Sequence, residues 1–494
     1  MVDIKLGNNI YEGVTSVKLN SPDGKIIMFY EKTNAVDEKD IRFVDYDGTL
    51  LYSYSVDEFA TMTEMPPLPE QPGLICQGWN RSMEDAQNYV NKYDKCIIGA
   101  TYITYDGKTR LYIHLEEGYT SPMVGACPNG TVTVDWGDGT EPDVLTGTST
   151  GEVKWTPNHE YAAVGDYVIT LTVDGLMGLL GSAYASEGPY IIRYSSQGDV
   201  RNVTYRNALR KVEIGSGIVS INPVAFSYCS NLTYITVPET VTKISEYAFR
   251  YCSNLKSVTI PKAVTSIGAN AFESCSSLTS ITIPETVTSI GTYAFRYCSN
   301  LTSIRIPESV TSIGTYAFQY CVNLASITIP ETVTSIGTYA FQYCSNLMSI
   351  TIPESVTSIG TYAFQYCVNL ISISIPEAVT TISNYAFQNC SNLTSITIPE
   401  TVTSIGTYAF RYCYNLTSIT IPKAVTTIGN AAFQSCTGIV CYDFSQHTAV
   451  PTLANTSAFS GIKSDCEIRV PAALVDEWKA AANWSTYANY IVGV

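Results

Sequence analysis

A 23-residue repeat constrains the fold of this chain more than any other feature. The pattern Phe-x-x-Cys occurs ten times, each copy 23 residues after the last, with its phenylalanine at positions 226, 249, 272, 295, 318, 341, 364, 387, 410 and 433. Proline keeps the same spacing from position 238 to position 422. One such repeat cannot bury its own apolar side, whereas stacked repeats share a continuous core. The sequence therefore predicts a solenoid of about ten coils.

The first half of each coil is predicted to be a strand. In 278–300, Leu278, Ile281 and Ile283 have the spacing of a strand that turns one side to the core. Pro284 ends this strand because proline has no N–H to donate to a ladder. At a strand spacing of about 4.8 Å, ten stacked coils form a rod about 48 Å long.

The second half of each coil is predicted to be a short extended piece followed by one helical turn. Val287 and Ile290 continue the inward-facing pattern on the extended piece. Ala294, Phe295 and Cys298 fall at positions i, i+1 and i+4, which lie on one face of a helix. The repeat cysteine therefore fills one core position in every coil.

This repeat resembles the leucine-rich repeat superfamily, and most closely its BspA-like group, also called the Treponema pallidum type. The resemblance covers about 209–438 and implies a solenoid of the kind found in gut bacteria and their phages. The usual asparagine position of the repeat is occupied here by Thr240, Ala263, Thr286 and Ser309. Asparagine stands instead just before the strand, at Asn254, Asn300, Asn323 and Asn346. We therefore expect rearranged hydrogen bonds at this corner.

Ten of the fifteen cysteines occupy the repeated core position, from Cys229 to Cys436. Stacked cysteines come within disulfide distance, but equivalent side chains point the same way, which is poor geometry for a bridge. We therefore expect buried thiols that act as small apolar groups, in preference to a metal-binding column. The remaining five contain no Cys-x-x-Cys pair, and a disulfide among them stays open: Cys76, Cys96, Cys127, Cys441 and Cys466.

Residues 1–109 are predicted to form a β-hairpin-rich domain with a short helix. Asp-Gly turns at 23–24, 47–48 and 106–107 lie between apolar or alternating runs. The sequence from Ser82 to Asp85 is typical of a capping box, which predicts a short helix that ends near Tyr93.

One motif in this region resembles the signature of haloacid-dehalogenase-like phosphatases, Asp-x-Asp-Gly-Thr. The resemblance implies Asp45 as the nucleophile and Asp47 as the acid/base. The motif should lead towards a helix, whereas 50–54 is typical of another strand. No surrounding α/β alternation supplies the lysine and acidic partners that this chemistry needs. A hairpin turn is therefore the favoured interpretation, and a phosphatase is the remote alternative.

Residues 110–195 contain three segments with strand and turn patterns, at 132–139, 159–161 and 165–173. Together they resemble a PKD-type domain, an immunoglobulin-like β-sandwich, which implies a spacer or a protein-binding module. His159 is expected to form a hydrogen bond within the fold. A turn is favoured over a calcium site for the three aspartates Asp135, Asp138 and Asp143.

Residues 439–494 depart from the repeat and are predicted to cover its last coil. The stretch from Ala472 to Tyr490, with Trp478 and Trp484, predicts an Ala-rich helix or a pair of helices. The predicted fold is therefore multi-domain and mainly β. It consists of a β-rich domain (1–109), a PKD-like sandwich (110–195), a leucine-rich-repeat solenoid (196–438) and a C-terminal helical cap (439–494).

Composition excludes several classes of function. The formal net charge is −16, and 208–438 holds ten basic and ten acidic residues, so no basic surface for nucleic acid is expected. Three histidines argue against a metal or acid/base centre, and no cofactor is expected. No apolar run is long enough for membrane insertion. No basic and apolar leader follows Met1, so we expect synthesis without a secretory signal.

Near-identical repeats offer columns of side chains in place of a pocket, so no enzyme is predicted. Pairs of tyrosines at positions i and i+4 surround the phenylalanine of Phe-x-x-Cys, and tyrosine is a rigid amphipathic anchor for protein or sugar surfaces. Simple stacking of these tyrosines along the rod is the alternative. The candidate contact residues are Tyr293, Tyr297, Tyr316, Tyr320, Tyr339, Tyr343, Tyr362, Tyr366 and, on the Ser/Thr face of the strand, Arg305.

These patterns together predict a non-enzymatic recognition or adhesion protein. We expect a phage virion surface or tail-associated protein whose N-terminal region docks to a larger assembly. Its repeat rod would present a surface to a host cell-surface protein or glycan, without nucleic acid and without membrane insertion. A bacterial cell-surface adhesin is the alternative, and a homo-oligomer is left open.

Overall fold

The computed structural model describes residues 4–6, 9–11, 41–44, 50–67, 74–79, 86–87, 96–104, 106–179, 191–193 and 206–494. The chain divides into two units, Met1–Asp106 and Gly107–Val494. The division into four domains stays a prediction. In the described part of the chain, no helix is long and apolar enough to span a bilayer.

The first unit is a small β structure with one short helix. Its strands are β1 (Ile4–Leu6), β2 (Asn9–Tyr11), β3 (Ile41–Val44), β4 (Leu50–Tyr54), β5 (Leu74–Trp79) and β6 (Cys96–Thr104). β1 pairs with β2, and the other four form a sheet in the order β4-β3-β6-β5. Helix α1 (Val56–Ala60) begins at a capping box in which Ser55 and Glu58 exchange hydrogen bonds. Its Phe59 packs into a core with Ile41 and Phe43.

Several predictions for this unit fall on residues outside the description. They are the turns at 23–24 and 47–48, and the helix expected from Ser82 except for 86–87, which are helical. The hairpin predicted at Asp106-Gly107 is wrong, because the strands before and after it belong to different sheets. Cys76 lies in β5 and Cys96 in β6.

The second unit opens with a largely antiparallel sheet. Its strands are β7 (Thr109–Leu115), β8 (Met123–Asp135), β9 (Asp143–Thr148), β10 (Lys154–Trp155), β11 (Gly165–Leu179), β12 (Ile192–Arg193), β13 (Leu209–Glu213), β14 (Ile218–Ile221), β15 (Tyr234–Thr236) and β16 (Lys243–Ile244). The central order is β10-β8-β11-β7-β13-β15, with β9 and β12 on β8 and β14 on β11. β13 and β14 are already the two strands of the first coil. The sheet therefore continues into the solenoid and covers its first coil, and one apolar core runs from Leu111 to Ile491.

The solenoid is a mainly β structure, as the repeat predicts, but it has about twelve turns of about 23 residues in place of the ten coils expected. Its later coils each contribute two short strands: β17 (Ser303–Arg305), β18 (Ser312–Ile313), β19 (Ser326–Thr328), β20 (Ser335–Ile336), β21 (Ser349–Thr351), β22 (Ser358–Ile359), β23 (Ser372–Ser374), β24 (Thr381–Ile382), β25 (Ser395–Thr397), β26 (Ser404–Ile405), β27 (Ser418–Thr420) and β28 (Thr427–Ile428). Equivalent residues pair in parallel, for example Ile304 with Ile327 and Ile313 with Ile336. The predicted inward residues of each coil are buried, including its Phe and its Cys.

The prediction of one helical turn around Phe-x-x-Cys is wrong. Tyr293 and Tyr297 both have φ of 60°, in the left-handed region, and the residues between them form consecutive turns. The Phe295 N–H donates to the Ala317 carbonyl of the next coil at 2.9 Å, whereas a helix would keep such a bond within itself. Alternate residues therefore bond between coils, and this side of the solenoid is also a hydrogen-bonded ladder.

The C-terminal segment first continues the parallel ladders of the solenoid with three further strands, and its final residues then cover the end, as predicted for a cap. It consists of β29 (Cys441–Asp443), β30 (Thr452–Leu453), β31 (Glu467–Val470), a 3₁₀ turn (Ala472–Leu474), helix α2 (Val475–Ala480), a second 3₁₀ stretch (Trp484–Tyr490) and β32 (Ile491–Gly493). Trp478 and Trp484 are fully buried, with ring centroids 4.5 Å apart. The Trp484 indole N–H donates to the Pro451 carbonyl at 2.7 Å. These two rings close the apolar core that the solenoid would otherwise expose.

Candidate recognition surface

Two columns of stacked tyrosines run along the turn side of the solenoid. The first tyrosine column consists of Tyr293, Tyr316, Tyr339, Tyr362, Tyr385 and Tyr408. The second tyrosine column consists of Tyr297, Tyr320, Tyr343 and Tyr366. Ring centroids in neighbouring coils lie between 4.3 and 4.9 Å apart. The eight tyrosines singled out in the sequence thus fall into two continuous surfaces.

An uncommon backbone conformation fixes the spacing of these rings. Every tyrosine of both columns has φ between 56° and 62°. This conformation costs an L-residue about 1–2 kcal/mol. Parallel stacking on two neighbours offsets that cost, since an aromatic pair contributes about 0.5–1.5 kcal/mol. The rings are therefore held in position before any ligand arrives.

The tyrosines are half-buried, and Tyr297 is the most open of the two columns at 37% exposure. Burial raises the pKa of Tyr343 to about 12, with added repulsion from Tyr320 and Tyr366. Burial likewise raises the pKa of Tyr362 to about 12. These hydroxyl groups therefore stay neutral at any physiological pH and can both donate and accept hydrogen bonds.

A glutamine ladder, not anticipated from the sequence, lies between the two tyrosine columns. It consists of Gln319, Gln342, Gln365 and Gln388. Each side-chain Nε2 donates to the Oε1 of the glutamine in the next coil, and the four residues are between 5% and 8% exposed. The signal was present in the sequence, because glutamine fills the same position of four successive repeats.

A buried ionic cluster sets the direction of this ladder. The Glu273 carboxylate, 3% exposed, accepts from Arg250 Nε at 2.6 Å and from Arg296 Nη1 at 3.4 Å. Burial acts to lower the pKa of Arg250, but the hydrogen bond and charge of Glu273 outweigh it and raise that pKa. Arg296 Nε donates to Gln319 Oε1 at 2.6 Å. Because a guanidinium can only donate, Gln319 must turn its oxygen towards Arg296 and its amide N–H groups towards Gln342.

Arg305 occupies a different side of the coil from the tyrosines. It lies on the exposed edge of β17, where its guanidinium pairs with the Glu285 carboxylate. Both side chains are more than half exposed, and such pairs contribute about 0–1 kcal/mol. Within the described residues, Arg305 has no ring contact with the tyrosine columns, so the structure does not bring it together with the other candidates.

The row of glutamates after the proline is used partly within the solenoid. Glu285 Oε2 accepts from the Glu308 N–H at 3.2 Å, and Glu354 Oε2 accepts from the Glu377 N–H at 3.0 Å. Among the residues that the structure describes, no group of three or more metal-binding side chains comes together.

The repeat cysteines are buried free thiols. Each thiol from Cys252 to Cys436 donates to the carbonyl of a phenylalanine 26 residues earlier, as Cys298 does to Phe272 at 3.2 Å. Burial raises the pKa of these thiols, in the case of Cys229 to about 12. A thiol reacts as its thiolate, so these cysteines serve packing and not chemistry. Cys441 and Cys466 are also free thiols.

Residues 201–325 and 311–440 match the family model of the BspA type leucine rich repeat region. The repeat region belongs to the BspA type of leucine-rich repeats. No curated protein matches the chain.

Several solved structures are similar to this chain. A leucine-rich repeat protein from Bacteroides ovatus is 22% identical, covering 73% of this chain and 98% of its own, with a TM-score of 0.45. The leucine rich repeat protein of T. pallidum is 33% identical, covering 32% of this chain and 77% of its own, with a TM-score of 0.32. A leucine rich cell surface protein from Faecalibacterium prausnitzii is 29% identical, covering 56% of this chain and 92% of its own, with a TM-score of 0.36.

The BspA type array has the rearranged corner that the sequence predicts. Asn323 Nδ2 donates to Asn300 Oδ1 at 3.2 Å, and Asn346 Nδ2 donates to Asn323 Oδ1 at 3.1 Å. The row continues in the same way to Asn415. At the usual asparagine position, Thr286 Oγ1 donates to the Val264 carbonyl at 2.6 Å. Hydroxyl groups there replace the amide side chains in bonding one coil to the next.

Ahead of the BspA type region, the predicted PKD-like segment holds its polar residues in specific pairs. Trp136 Nε1 donates to Asp143 Oδ2 at 2.9 Å, and His159 Nε2 lies 2.7 Å from Asp138 Oδ2. Asp135 Oδ1 accepts from the Gly137 N–H at 2.9 Å. Each aspartate thus has a partner within the turn or its surroundings, which favours the turn interpretation over calcium. The PKD assignment itself stays a prediction.

The matching family is a repeat family and not an enzyme family. Asp45 and Asp47, the nucleophile and acid/base of the phosphatase alternative, lie outside the described residues. The strands on either side of them, β3 and β4, pair antiparallel, with Val44 opposite Leu50. That pairing is typical of a hairpin.

Proposed function

We propose that this chain is a non-enzymatic recognition or adhesion protein of the BspA type. Its solenoid presents the two tyrosine columns to a protein or glycan on a host cell surface. Its N-terminal region docks to a larger assembly, and we place the protein on a phage virion, at the surface or the tail. The proposal involves no cofactor, no nucleic acid and no membrane insertion.

The observation that carries the proposal is the ordered, half-exposed stacking of the tyrosines. Binding normally costs the entropy of fixing side chains, about 0.5–1.5 kcal/mol for each flexible one. Rings that already stack at 4.3 to 4.9 Å do not incur this cost again. Tyrosine is also enriched among the residues that dominate binding interfaces. The repetition suits a ligand that is itself repetitive or extended.

The test is the triple variant Tyr316→Ser, Tyr339→Ser and Tyr362→Ser. Serine already occupies left-handed positions of this array at Ser274 and Ser435, so the backbone accepts it. We expect binding of the purified full chain to host cells to weaken at least tenfold, while the melting temperature falls by a few degrees. Flow cytometry with labelled protein and thermal denaturation measure the two effects.

A matched control replaces Ser303, Ser326 and Ser349 by alanine on the exposed strand face of the same coils. This variant should bind like the parent chain. A fall in melting temperature without any loss of binding by the folded fraction would show that the tyrosine columns serve packing only.

The location is tested separately, by mass spectrometry of purified virions from the same source. Recovery of the protein with virion components supports a virion protein. Recovery with the cell wall instead supports the alternative, a bacterial cell-surface adhesin.

A further inference from the structure

Two identical octapeptides in this solenoid place an arginine in two different electrostatic settings. Residues 291–298 and 406–413 both have the sequence Gly-Thr-Tyr-Ala-Phe-Arg-Tyr-Cys. Arg296, in the first, pairs with the Glu273 carboxylate and donates from Nε to Gln319. Arg411, in the second, forms no ion pair with any described carboxylate, and its buried Nε has no hydrogen-bond partner. Equal sequence thus leaves Arg411 with an unused charge.

The glutamine ladder explains why the preceding coil does not satisfy Arg411. In the following coil Gln434 holds the register in which Gln319 accepts from Arg296, but Arg411 Nε has no bond to it. Each glutamine donates to the next, and Gln388 Oε1 already accepts from Gln365 Nε2. Gln388 therefore offers only amide N–H groups on its other side, towards the position that Arg411 fills in the next coil. At this end of the ladder the amide N–H groups of Gln388 and the guanidinium of Arg411 are both hydrogen-bond donors. The group that would satisfy both is an acceptor, and a negatively charged one satisfies the guanidinium best.

The surface around Arg411 is aromatic and partly open. Its Cζ lies 4.9 Å from the Tyr408 ring centroid and 4.3 Å from that of Tyr412, and its Nη2 donates to the Tyr412 hydroxyl at 2.7 Å. Asn389 interrupts the second tyrosine column here, so Tyr412 turns to Tyr414, with ring centroids 5.7 Å apart. Tyr414 is 43% exposed. An arginine without a carboxylate partner, framed by tyrosines, has the composition of a binding hot spot.

The same region of the solenoid contains a groove. Ser383 occupies the position that Gly360 and Gly406 occupy in the adjacent coils. This position is crowded, because a Cβ added to Gly406 would lie 2.6 Å from the backbone N of Asn384. The ladder of second strands is interrupted there, because β22 and β24 belong to separate sheets. Ser383 Oγ bonds to the Ile359 carbonyl instead. The interruption coincides with a groove of about 440 Å³ that runs past Asn384 and Thr407.

This groove decides between the classes of acidic ligand. Its lining combines apolar surface, such as that of Ile405, with hydroxyl and amide groups, including those of Thr381 and Ser404. Such groups pair with the hydroxyl groups of a sugar, and tyrosine faces suit the C–H faces of a sugar ring. Thr407, in the groove, directly precedes Tyr408, whose ring contacts Arg411. The groove and the cationic site therefore adjoin along the chain at Thr407 and Tyr408.

We propose that Arg411, Tyr408 and Tyr412, together with this groove, bind an acidic glycan through a sugar carboxylate. The carboxylate accepts from the Arg411 guanidinium and from the Gln388 amide, and the neighbouring sugars lie along the groove. The inference rests on the proposed function and deepens it by naming the ligand class and the coil that binds it.

The experiment is isothermal titration calorimetry of the full chain with short oligogalacturonates. Their methyl esters are the matched neutral ligands, and a hexaglutamate peptide is the matched acidic ligand without sugars. The variant is Arg411→Gln, which the fold should accept because Gln388 and Gln434 hold the equivalent positions in the adjacent coils. Arg296→Gln is the control in an identical octapeptide.

We expect the parent chain and Arg296→Gln to bind oligogalacturonate, and Arg411→Gln to bind it at least tenfold more weakly. Methyl esterification should cause a similar loss, and hexaglutamate should not bind. Equal affinity of Arg411→Gln, equal affinity for the methyl ester, strong binding of hexaglutamate, or no oligogalacturonate binding would each overturn the inference. If host-cell binding through the tyrosine columns persists in those cases, the proposed function stands and only the acidic-glycan site is lost.

Discussion

The two parts of the second unit treat left-handed backbone positions in opposite ways. In 107–179, every described residue with positive φ is a glycine, such as Gly137 and Gly139. In the coils from 224 to 435, every residue with positive φ carries a side chain, and most are tyrosines. In the first region glycine avoids the backbone strain of a positive φ. In the coils residues with side chains, mostly tyrosines, keep that strain. The difference shows that the repeated tyrosines are held where they are for their side chains.

The two regions also differ in how side chains find partners. Around Trp136 each contact joins different residue types, such as His159 stacked on the indole at 4.4 Å. In the coils, phenylalanine stacks on phenylalanine and glutamine bonds to glutamine. Contacts between different residue types define one arrangement of the strands, whereas columns of like residues define only the spacing between neighbouring coils. The first coil is therefore positioned by the strands that precede it.

The largest expected effect comes from the phenylalanine column. Phe341 lies between Phe318 and Phe364, with ring centroids 5.5 and 5.4 Å away. Phe341→Ala should lower the free energy of unfolding by about 3–5 kcal/mol. Adding Phe364→Ala should give a non-additive change, because the rings touch, whereas adding Trp136→Ala should be additive within about 0.5 kcal/mol. Urea denaturation of the three single and two double variants measures this, and equal coupling in both pairs would contradict the contrast between the regions.

A medium effect is expected where strain and stacking oppose each other. Tyr343 has φ of 62° and stacks on Tyr320 and Tyr366. Tyr343→Ala removes both ring contacts and keeps the strain, which should cost about 1–3 kcal/mol. Tyr343→Gly removes the strain as well, so it should be more stable than the alanine variant by about 1 kcal/mol. Urea denaturation of the two variants beside the parent chain measures both differences.

The control for this prediction lies in the other region. Gly139 has φ of 85°, and a Cβ added there would meet no atom within 4 Å, so Gly139→Ala adds strain and nothing else. It should lower the free energy of unfolding by about 1 kcal/mol. If alanine is as stable as glycine at position 343, the tyrosine column does not carry the backbone strain described above.

The smallest expected effect is a pH dependence confined to the C-terminal cap. His447 is buried against Phe444 and Trp478, and both ring nitrogens lack a hydrogen-bond partner in the described residues. Burial lowers the pKa of His447, although backbone groups of Val425 and Phe444 and the charges of Glu400 and Asp443 act to raise it. As the pH falls, the imidazole of His447 therefore takes up a proton in the unfolded chain at a higher pH than in the folded chain.

The contribution of His447 to the free energy of unfolding should accordingly be constant above about pH 6.5 and decrease as the pH falls below that value. His447→Phe should remove this contribution. Melting curves of the parent and the variant between about pH 7.5 and pH 5 span the usual range of a histidine and measure the effect. Parallel pH profiles for the two proteins would show that another group is responsible.

The sequence predicts the coil because inward positions recur at a fixed period, from Leu278 to Cys298. It does not predict the left-handed tyrosines, because an isolated Tyr-Ala-Phe-Arg-Tyr segment favours a helical turn and the ring of the next coil supplies the missing stabilisation. The sequence does not predict the glutamine ladder for a related reason, because a single glutamine is usually a surface residue. The unpaired state of Arg411 is even harder to predict from the sequence. Its octapeptide is identical to that of Arg296, and only the adjacent coils distinguish the two arginines.

The shared sheet of β7, β11, β13 and β14 has a consequence for synthesis. A ribosome adds about 5–20 residues per second, so a new coil emerges roughly every 1–5 seconds. The strands of 109–179 are made before any coil and offer β13 and β14 a finished edge. Each later coil can then dock on the one just completed, in the order in which it leaves the ribosome. The nascent rod is thus able to grow from an anchored seed, with only its newest coil exposed.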